Sequence, residues 1–270
     1  VPRIIKKEVY KSTTDHDCGY IAQPNKKGLG YLAEMSVDTT HGIITGVDVF
    51  PANTSESTII LKHIERQIAD TGISIKNLAL DGGYDSGAVH RGLEILNIKG
   101  YSSLRNYHNN PMKKGFEYNV VKDCFVCKCG KELHFHRIAY KRTTQNYHRQ
   151  YKIARKECNN CPHIEQCAVD KSAVRINASA YYPSFYANIK RTETSEYKRL
   201  KRLRSIWAEG TFAALKREHK LSRTCKRGNS QVNEECLLAA IALNLKRIVK
   251  ATNFHFFRFK KLLPYLRIIK

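Results

Sequence analysis

The chain has 270 residues, of which 42% are hydrophobic and 26% charged, as is typical of a globular protein with one core and room for a smaller second module. Its apolar runs are shorter than the roughly 20 residues that span a bilayer, and the N-terminus has no apolar stretch with a processing site, so we expect a cytoplasmic protein. The net charge of +23 favours a polyanionic partner over a small neutral ligand.

The positive charge is concentrated in the last two-thirds of the chain. Residues 1–100 carry a net charge of −1, residues 101–197 carry +9 and residues 198–270 carry +15. Because each neutralised phosphate releases condensed counterions, this distribution favours nucleic acid. The alternatives are association with the ribosome, solubility alone, and an anionic membrane surface that would concern mainly residues 253–270. Nothing else in the sequence supports a membrane partner.

The first predicted element is a β-hairpin in residues 31–50. Apolar residues alternate from Tyr31 to Val37, "DTTHG" supplies a turn, and the segment from Ile43 to Phe50 returns with β-branched residues. The hairpin also carries Asp38 and Asp48.

An alternation of helices and strands follows the hairpin. The segment "STIILKHIERQIADTG" predicts a helix that ends at Gly72, "NLALD" a strand, "SGAVHRGLEILN" a second helix and "IKGYSSL" another strand. This order predicts an α/β fold with a mixed sheet, and we place its N-terminal part in residues 1–103.

Residues 104–193 lose this periodicity and hold six of the nine cysteines. Two clusters, "CFVCKCGKEL" and "CNNCPHIEQC", lie about thirty residues apart, the arrangement of a zinc ribbon. The expected ligands are Cys127, Cys158, Cys161 and Cys167, with Cys129 as the alternative to Cys127. An iron–sulfur cluster and unligated thiols are the other interpretations, and a disulfide is disfavoured in a reducing compartment.

Three further cysteines lie alone in the sequence. These are Cys18, Cys225 and Cys236, and we expect them to be small buried hydrophobes.

Helical periodicity returns in residues 194–252, which we expect to complete the core. The first helix has five apolar residues predicted to face inward, Leu200, Leu203, Trp207, Ala214 and Leu215. The second has a predicted inward stripe of Leu237, Ala240, Ile241, Asn244, Leu245 and Ile248. The tail 253–270 alternates bulky apolar and basic residues, as a docking segment or phosphate-contacting arm would.

Two carboxylates are candidates for chemistry. Asp81 follows a predicted strand and precedes Gly82 and Gly83, a position from which it would point into the crevice at the end of an α/β sheet; the alternative is a turn residue. Glu209 lies on a helix where eleven Lys or Arg and two acids occur between Lys198 and Arg227. A shared divalent metal would account for this carboxylate, and so would an ion pair with Lys216 or Arg204.

The segments around these carboxylates resemble a known family. "LALDGGYDSGAV" and "SIWAEGTFAALKREHKLSRTCKRG" are similar to the second and third acidic motifs of the DDE-type transposases of bacterial insertion sequences. "SVDTTHGIITGVDVFPANTSES" resembles the hairpin of that group and "RGNSQVNEECLLAAIALNLKRI" its terminal helix. The resemblance covers residues 12–250 and implies a ribonuclease-H-like mixed sheet flanked by helices, with a zinc-ribbon-like insertion and C-terminal helices.

The resemblance also implies roles for individual residues. Asp81 and Glu209 would be catalytic ligands of Mg²⁺ or Mn²⁺, and Lys216 would contact a DNA phosphate. The family often places Tyr and Arg ahead of the Glu, at positions that here hold Arg202 and Ser205, and Arg204 lies one place off. Further expected DNA contacts come from Arg204, Arg223, Lys226 and Arg227.

The first acidic motif of the family has no counterpart here. It precedes a segment like "STTDHDCGYIAQPNKKGLGY", which already begins at residue 12. Upstream there is only Glu8, and Asp15 and Asp17 occupy a loop-like stretch. We therefore expect an N-terminal truncation that lacks the first strand and the first of three metal ligands, binds Mg²⁺ weakly and cleaves poorly if at all.

The sequence thus predicts the catalytic domain of a DNA transposase, which hydrolyses phosphodiesters at element ends and joins them to target DNA. The expected partner is double-stranded DNA, bound by a homodimer in the bacterial nucleoid. The alternatives are a non-catalytic nucleic-acid-binding protein built around a zinc ribbon, a nuclease that does not join strands, and an inactive structural relative of a transposase.

Overall fold

The computed structural model describes residues 10–23, 26–105, 110–142, 145–169 and 172–252. The expectations for Glu8 and for the tail 253–270 lie outside these residues. Within the described residues the chain divides into two compact units. Unit 1 comprises Val1–Ser55, Lys62–Gly72 and Leu203–Lys270, and unit 2 comprises Glu56–Leu61 and Ile73–Arg202.

The predicted hairpin is part of a three-stranded antiparallel sheet in unit 1. Its strands, in sheet order, are β1 (Gly19–Gln23), β2 (Lys26–Val37) and β3 (Ile44–Pro51). Strands β2 and β3 pair from Tyr31 opposite Pro51 to Val37 opposite Ile44, with a bulge at Ser36/Val37. This pairing confirms the predicted hairpin. The alternating apolar residues give the sheet one face for the core.

Helix α1 (Glu56–Thr71) follows the hairpin and ends where the sequence predicts. Gly72 adopts the left-handed conformation with φ of 67°, and its N–H donates to the Ile68 carbonyl. A glycine in this conformation satisfies an orphan carbonyl without the steric cost of a Cβ atom.

Polar side chains connect α1 to the hairpin within unit 1. His63 is 1% exposed, and its ring nitrogens lie 2.7 Å from Ser36 Oγ and 2.7 Å from Asp48 Oδ2. Arg66 also pairs with Asp48. Asp48 is therefore a structural residue that joins β3 to α1.

Unit 2 begins its regular structure with a parallel pair of strands. Strands β4 (Asn77–Leu80) and β5 (Lys99–Ser102) pair in register, and helix α2 (Gly87–Ile95) connects them. Ser86 caps α2 through its hydroxyl, which accepts the Val89 N–H. The combination of helices with parallel and antiparallel strands confirms the α/β fold class. In the described residues, however, the parallel pair and the antiparallel hairpin lie in separate sheets and not in the one mixed sheet that the sequence predicts.

The cysteine-rich segment is more regular than its sequence indicates. It forms a six-stranded antiparallel sheet in the order β10-β11-β9-β8-β7-β6. The strands are β6 (Glu117–Asn119), β7 (Cys124–Val126), β8 (Glu132–Lys141), β9 (Asn146–Ala154), β10 (Ala168–Val169) and β11 (Ala173–Ser179). Periodicity missed the long strand β8 because a bulge between Phe135 and Arg137 interrupts its alternation of apolar and polar residues.

An aromatic core supports the insertion sheet. Phe125 and Tyr151 are fully buried, with ring centroids 4.8 Å apart in an edge-to-face arrangement. Tyr182, on helix α3 (Tyr182–Thr192), packs 5.0 Å from Phe125. Helix α3 thereby closes one face of this sheet.

The C-terminal helices are α4 (Ser195–Arg204), α5 (Gly210–Glu218) and α6 (Asn229–Ala251). A π-helical turn, Ser205–Glu209, connects α4 to α5. The predicted inward residues Leu200 and Leu215 are buried, and the other three are half-buried.

The predicted inward stripe of α6 is largely wrong. Ala240 is buried and Asn244 half-buried, but the remaining four residues are 39–58% exposed: Leu237, Ile241, Leu245 and Ile248. The residues that pack on β3 and α5 within unit 1 are Val232, Cys236, Ala239, Ala240 and Leu243. Helix α6 has two apolar stripes, and periodicity alone could not decide which one is buried.

The prediction that the three isolated cysteines are buried holds for one of them. Cys236 is buried, and burial raises the pKa of its thiol to about 11. Cys18 is half-buried and Cys225 is exposed.

Within the described residues, we find no helix with the length and apolar character needed to cross a membrane.

Candidate active site

Asp81 is exposed at the carboxyl end of β4, in unit 2. It caps a short 3-10 turn, Gly82–Tyr84, and its carboxylate accepts the Gly82 N–H. The Tyr84 N–H donates to the Asp81 carbonyl at 3.1 Å. An exposed carboxylate at the end of a parallel strand can accept a metal ion. The alternative role of Asp81 as a turn residue is also present in the structure.

A buried polar network adjoins this turn. Asp85 is 1% exposed, and its Oδ1 accepts the Ser102 hydroxyl at 2.9 Å and the Asn188 amide at 3.2 Å. His90 Nε2 lies 3.0 Å from the same oxygen, and the Arg105 N–H donates to Oδ2 at 2.9 Å. The Asp85 carboxylate thus connects the turn after Asp81 to α2, β5 and α3. Sequence reasoning missed this residue because its partners lie up to 103 positions away.

Glu209 is the last residue of the π-helical turn and lies in unit 1. Its side chain is 57% exposed, and its two oxygens accept hydrogen bonds from Arg204 at 2.8 Å and from Ser205 at 3.1 Å. In a π turn, residues five apart in sequence face the same side of the helix. A π turn holds one residue more than an α-helical turn. Arg204, five positions before Glu209, can therefore make the contact that in an α-helix is made from four positions before.

The π turn packs against the β2–β3 turn through the indole ring of Trp207, within unit 1. Trp207 lies against Gly42, in the turn between β2 and β3, where an added Cβ atom would lie 2.2 Å from the indole ring. Arg247 of α6 donates to the Gly42 carbonyl and, at 2.8 Å, to the Thr211 hydroxyl. These contacts direct Trp207 inward and leave Glu209 facing solvent.

The predicted DNA contacts outside the π turn are exposed cations of α5 and the loop that follows it. Lys216, Arg223, Lys226 and Arg227 are all exposed. Lys226 lies 3.6 Å from Glu234, a loose surface ion pair. These four residues and Glu209 belong to unit 1, whereas Asp81 belongs to unit 2.

The upstream acids have structural partners. Asp15 Oδ1 accepts the Gly228 N–H at 3.3 Å, and Asp17 Oδ2 accepts the Asn229 N–H at 2.9 Å, so both cap the N-terminus of α6. The Tyr31 hydroxyl donates to Asp15 at 2.8 Å, and burial together with this carboxylate raises the pKa of Tyr31. Asp38 accepts three backbone N–H groups of its own turn, which lower its pKa against the effect of burial.

Five cysteines of the insertion line one small cavity of about 20 Å³. They are the four predicted zinc ligands and the alternative, Cys127, Cys129, Cys158, Cys161 and Cys167. The Sγ atoms of Cys129 and Cys161 lie 3.6 Å apart, close to the roughly 3.8 Å expected for two thiolates on a tetrahedral ion with Zn–S bonds of about 2.3 Å. Burial raises the pKa of Cys167, and the nearby thiols of Cys161 and Cys158 raise it further.

The sixth cysteine of the insertion lies apart from this cavity. Cys124, Glu132 and His134 place one ligand atom each within 4.8 Å of one another. Glu132 is engaged by Lys122 at 2.6 Å, an interaction that lowers the pKa of its carboxyl. This competing ion pair makes the trio a poorer cation site than the thiol cavity.

Comparison with known proteins gives one match. Residues 126–249, a little under half of the chain, match the family model described as a transposase DDE domain. The match includes the thiol cavity and Glu209 and does not reach Asp81. No curated protein and no solved structure matches the chain. The family match confirms the resemblance of this chain to the DDE-type transposases, whose substrate is DNA.

Proposed function

We propose that the chain is the catalytic part of a DNA transposase that hydrolyses a phosphodiester at the ends of a mobile element and joins the freed end to target DNA. The observation that carries this proposal is the family match over the helix that bears Glu209. The exposed cations Arg223, Lys226 and Arg227 follow on the same segment and support a DNA partner. We further propose that the protein acts as a homodimer in the bacterial cytoplasm.

In this proposal Asp81 and Glu209 are the catalytic metal ligands. Both side chains are exposed carboxylates, the oxygen ligands that Mg²⁺ and Mn²⁺ prefer. A divalent metal bound by such carboxylates would supply Lewis acidity and an activated water. Arg204 and Ser205 would hold the Glu209 side chain in one rotamer, and Lys216 would position the DNA by a phosphate contact.

The test is cleavage of labelled duplex DNA carrying the ends of a mobile element, in Mn²⁺ and in Mg²⁺, by the chain and by two isosteric variants. Asp81→Asn and Glu209→Gln should each lower the cleavage rate by a factor of 100 or more, because each removes a metal-ligand charge. Cysteine replacement, Cys158→Ser, tests the zinc-centred alternative.

Each result of this experiment favours one candidate. Cleavage that persists in both carboxylate variants contradicts the proposal. DNA binding without any cleavage, abolished by Cys158→Ser alone, favours the non-catalytic binding protein. Cleavage without joining, when pre-cut ends are supplied, favours a nuclease.

A structural zinc ion in the thiol cavity is part of the proposal. Five thiols around one enclosed space suit a tetrahedral ion that needs four, and the Cys129–Cys161 distance supports Cys129 as one of them. The expected result is one zinc per chain by elemental analysis. Cys161→Ser should lower this content, and Cys225→Ser, which replaces an exposed isolated thiol, should not. Equal zinc contents in all three proteins would contradict the assignment.

A further inference from the structure

Strands β8 and β9 are the central pair of the insertion sheet. Beyond His134, the described part of β8 pairs only with β9, and β9 pairs on its other side with β11 from His148 to Ala154. We call residues 134–152 the β8–β9 ribbon. Both faces of it carry exposed side chains, with Ile138 (54%) and Tyr147 (63%) on one face and Arg137 and Lys141 on the other.

The two faces of the β8–β9 ribbon differ in chemistry. Residues directly opposite each other in an antiparallel pair share a face. One face carries the exposed apolar and aromatic residues Ile138, Tyr140 and Tyr147, together with Arg149. The other face, here called the basic face, carries His134, Arg137, Lys141, His148 and Lys152, and it continues onto β11 with Arg175 opposite Lys152.

The basic face has almost no negative charge to balance it. The sequence contains no Asp or Glu from residue 133 to residue 155. The nearest acid on this face is Glu132, which Lys122 already engages at 2.6 Å. Glu132, at the start of β8, is the only acid on these two strands, and it also lies 3.5 Å from His134. The face therefore presents Arg137, Lys141 and Lys152 to solvent with little negative charge on its own strands.

Burial and the positive charge of this face lower the pKa of two neighbouring histidines, His136 and His148. Burial lowers the pKa of His136, at the bulge of β8, and the charges of Lys152, Arg137 and Arg175 lower it further. Burial and the charges of Lys141 and Arg137 lower the pKa of His148 in the same way. An anion on this face would relieve the repulsion that opposes protonation of both rings.

The basic face suits the phosphate backbone of a duplex. Cations spread along an exposed sheet face can contact successive phosphates. The amides of Asn146 and Gln150 lie between these cations on the same face, and Gln150 accepts a hydrogen bond from Arg137 at 2.9 Å.

We propose that the basic face of the β8–β9 ribbon is a second DNA-binding surface, separate from the cations of α5 and the loop after it, and that it binds double-stranded DNA through Arg137, Lys141 and Lys152. The inference rests on the proposed DNA partner and is independent of catalysis. It assigns the insertion a role in holding DNA in addition to any metal it binds.

The test measures the affinity for a fluorescent DNA duplex at several salt concentrations. In the ribbon variant, Arg137, Lys141 and Lys152 are changed to Gln; in the control variant, Arg91, Lys99 and Lys190 are changed to Gln. All six side chains are exposed and lie in unit 2, so the two variants lose equal charge. Thermal unfolding of both variants checks that the fold is intact.

The ribbon variant should bind at least tenfold more weakly than the unmodified chain at 100 mM salt. Its slope of log affinity against log salt should be shallower by about 2.7, because each lost phosphate contact removes about 0.9. In the control variant the slope should change by less than about 0.9, the contribution of one phosphate contact.

Two results would overturn the inference. Equal losses in the ribbon and control variants would mean that only total charge matters. Stronger binding of a single-stranded RNA, or of vesicles with anionic lipid, than of the duplex would mean that the surface serves another partner. If the unmodified chain binds no DNA, the proposed function fails as well. If the unmodified chain binds DNA and the two variants lose affinity equally, the proposed function stands and only the DNA-binding role of the ribbon is rejected.

Discussion

Gly42 is closely packed against the π turn that carries Glu209. Its φ is 75°, in the left-handed region, and Trp207 covers its Cα hydrogen. Both the backbone conformation and the neighbouring indole therefore require the absence of a Cβ atom.

We predict that Gly42→Ala destabilises the protein by about 3 kcal/mol. Roughly 1 kcal/mol reflects the left-handed backbone, and the remainder reflects displacement of the indole ring. The matched control is Gly72→Ala, where φ is 67° and nothing lies within 4 Å of the added Cβ, so only the backbone cost of about 1 kcal/mol applies. Urea unfolding of both variants measures the difference, and equal losses would show that Trp207 moves aside freely.

At the scale of single residues, the sequence identified reactive side chains better than their partners. The exposure of Asp81 and Glu209 and the alternative ion pair of Glu209 with Arg204 are present in the structure. The Asp85 network and the capping of α6 by Asp15 and Asp17 were not predictable, because each joins residues separated by about 100 or 200 positions. Spacing along a chain carries no information about such contacts.

Helix α6 shows how far an element can be read from its pattern. The helix and its 3.6-residue periodicity were predicted correctly, but its buried side was not. Both sides are apolar, and the choice between them depends on β3 and α5, which the helix meets only in the folded chain.

The buried side of α6 can be tested with two identical substitutions. Leu243 is 5% exposed and Leu245 is 58% exposed. Leu243→Ala should cost about 3 kcal/mol because it leaves a cavity in the core of unit 1, and Leu245→Ala should cost less than about 0.5 kcal/mol. Chemical denaturation measures both values. A larger loss for Leu245 would restore the original prediction and contradict the packing seen here.

The insertion illustrates the opposite case, in which the side chains that meet were predictable and the strands were not. Its cysteine spacing predicted a common site, and five of the six thiols do line one cavity. Its six-stranded sheet was not predicted, since the bulge of β8 between Phe135 and Arg137 interrupts the alternation of apolar and polar residues. A pattern that changes phase in mid-strand matches neither the period of a strand nor that of a helix.

At the scale of the whole molecule, charge is the dominant property. The net charge of +23 is carried by residues 101–270, and residues 1–100 are nearly neutral. The sequence could predict this asymmetry and the α/β class. It could not predict which strands pair with which, and the described strands form three separate sheets.

We predict that DNA binding by the whole chain is strongly dependent on salt. If the cations at Arg223, Lys226 and Arg227 contact phosphates, changing all three to Gln should reduce the slope of log affinity against log salt by about 2.7. Combining this change with the ribbon variant should give additive losses, since the two sets lie in different units. Fluorescence anisotropy at 50–200 mM salt tests this, and a combined loss no larger than either single loss would indicate one shared binding mode.

The π turn at Ser205–Glu209 has a consequence for sequence alignment. Helices rarely absorb an inserted residue, because insertions usually move into loops. A π turn holds one residue more than an α-helical turn, and here Arg204, five positions before Glu209, forms the ion pair. We therefore predict that matching this chain to the pattern of the family needs a gap of one position inside the helix, so that the arginine of the pattern corresponds to Arg204 and not to Ser205. Deletion of Ala208 should convert the turn to ordinary α-helix and keep the ion pair.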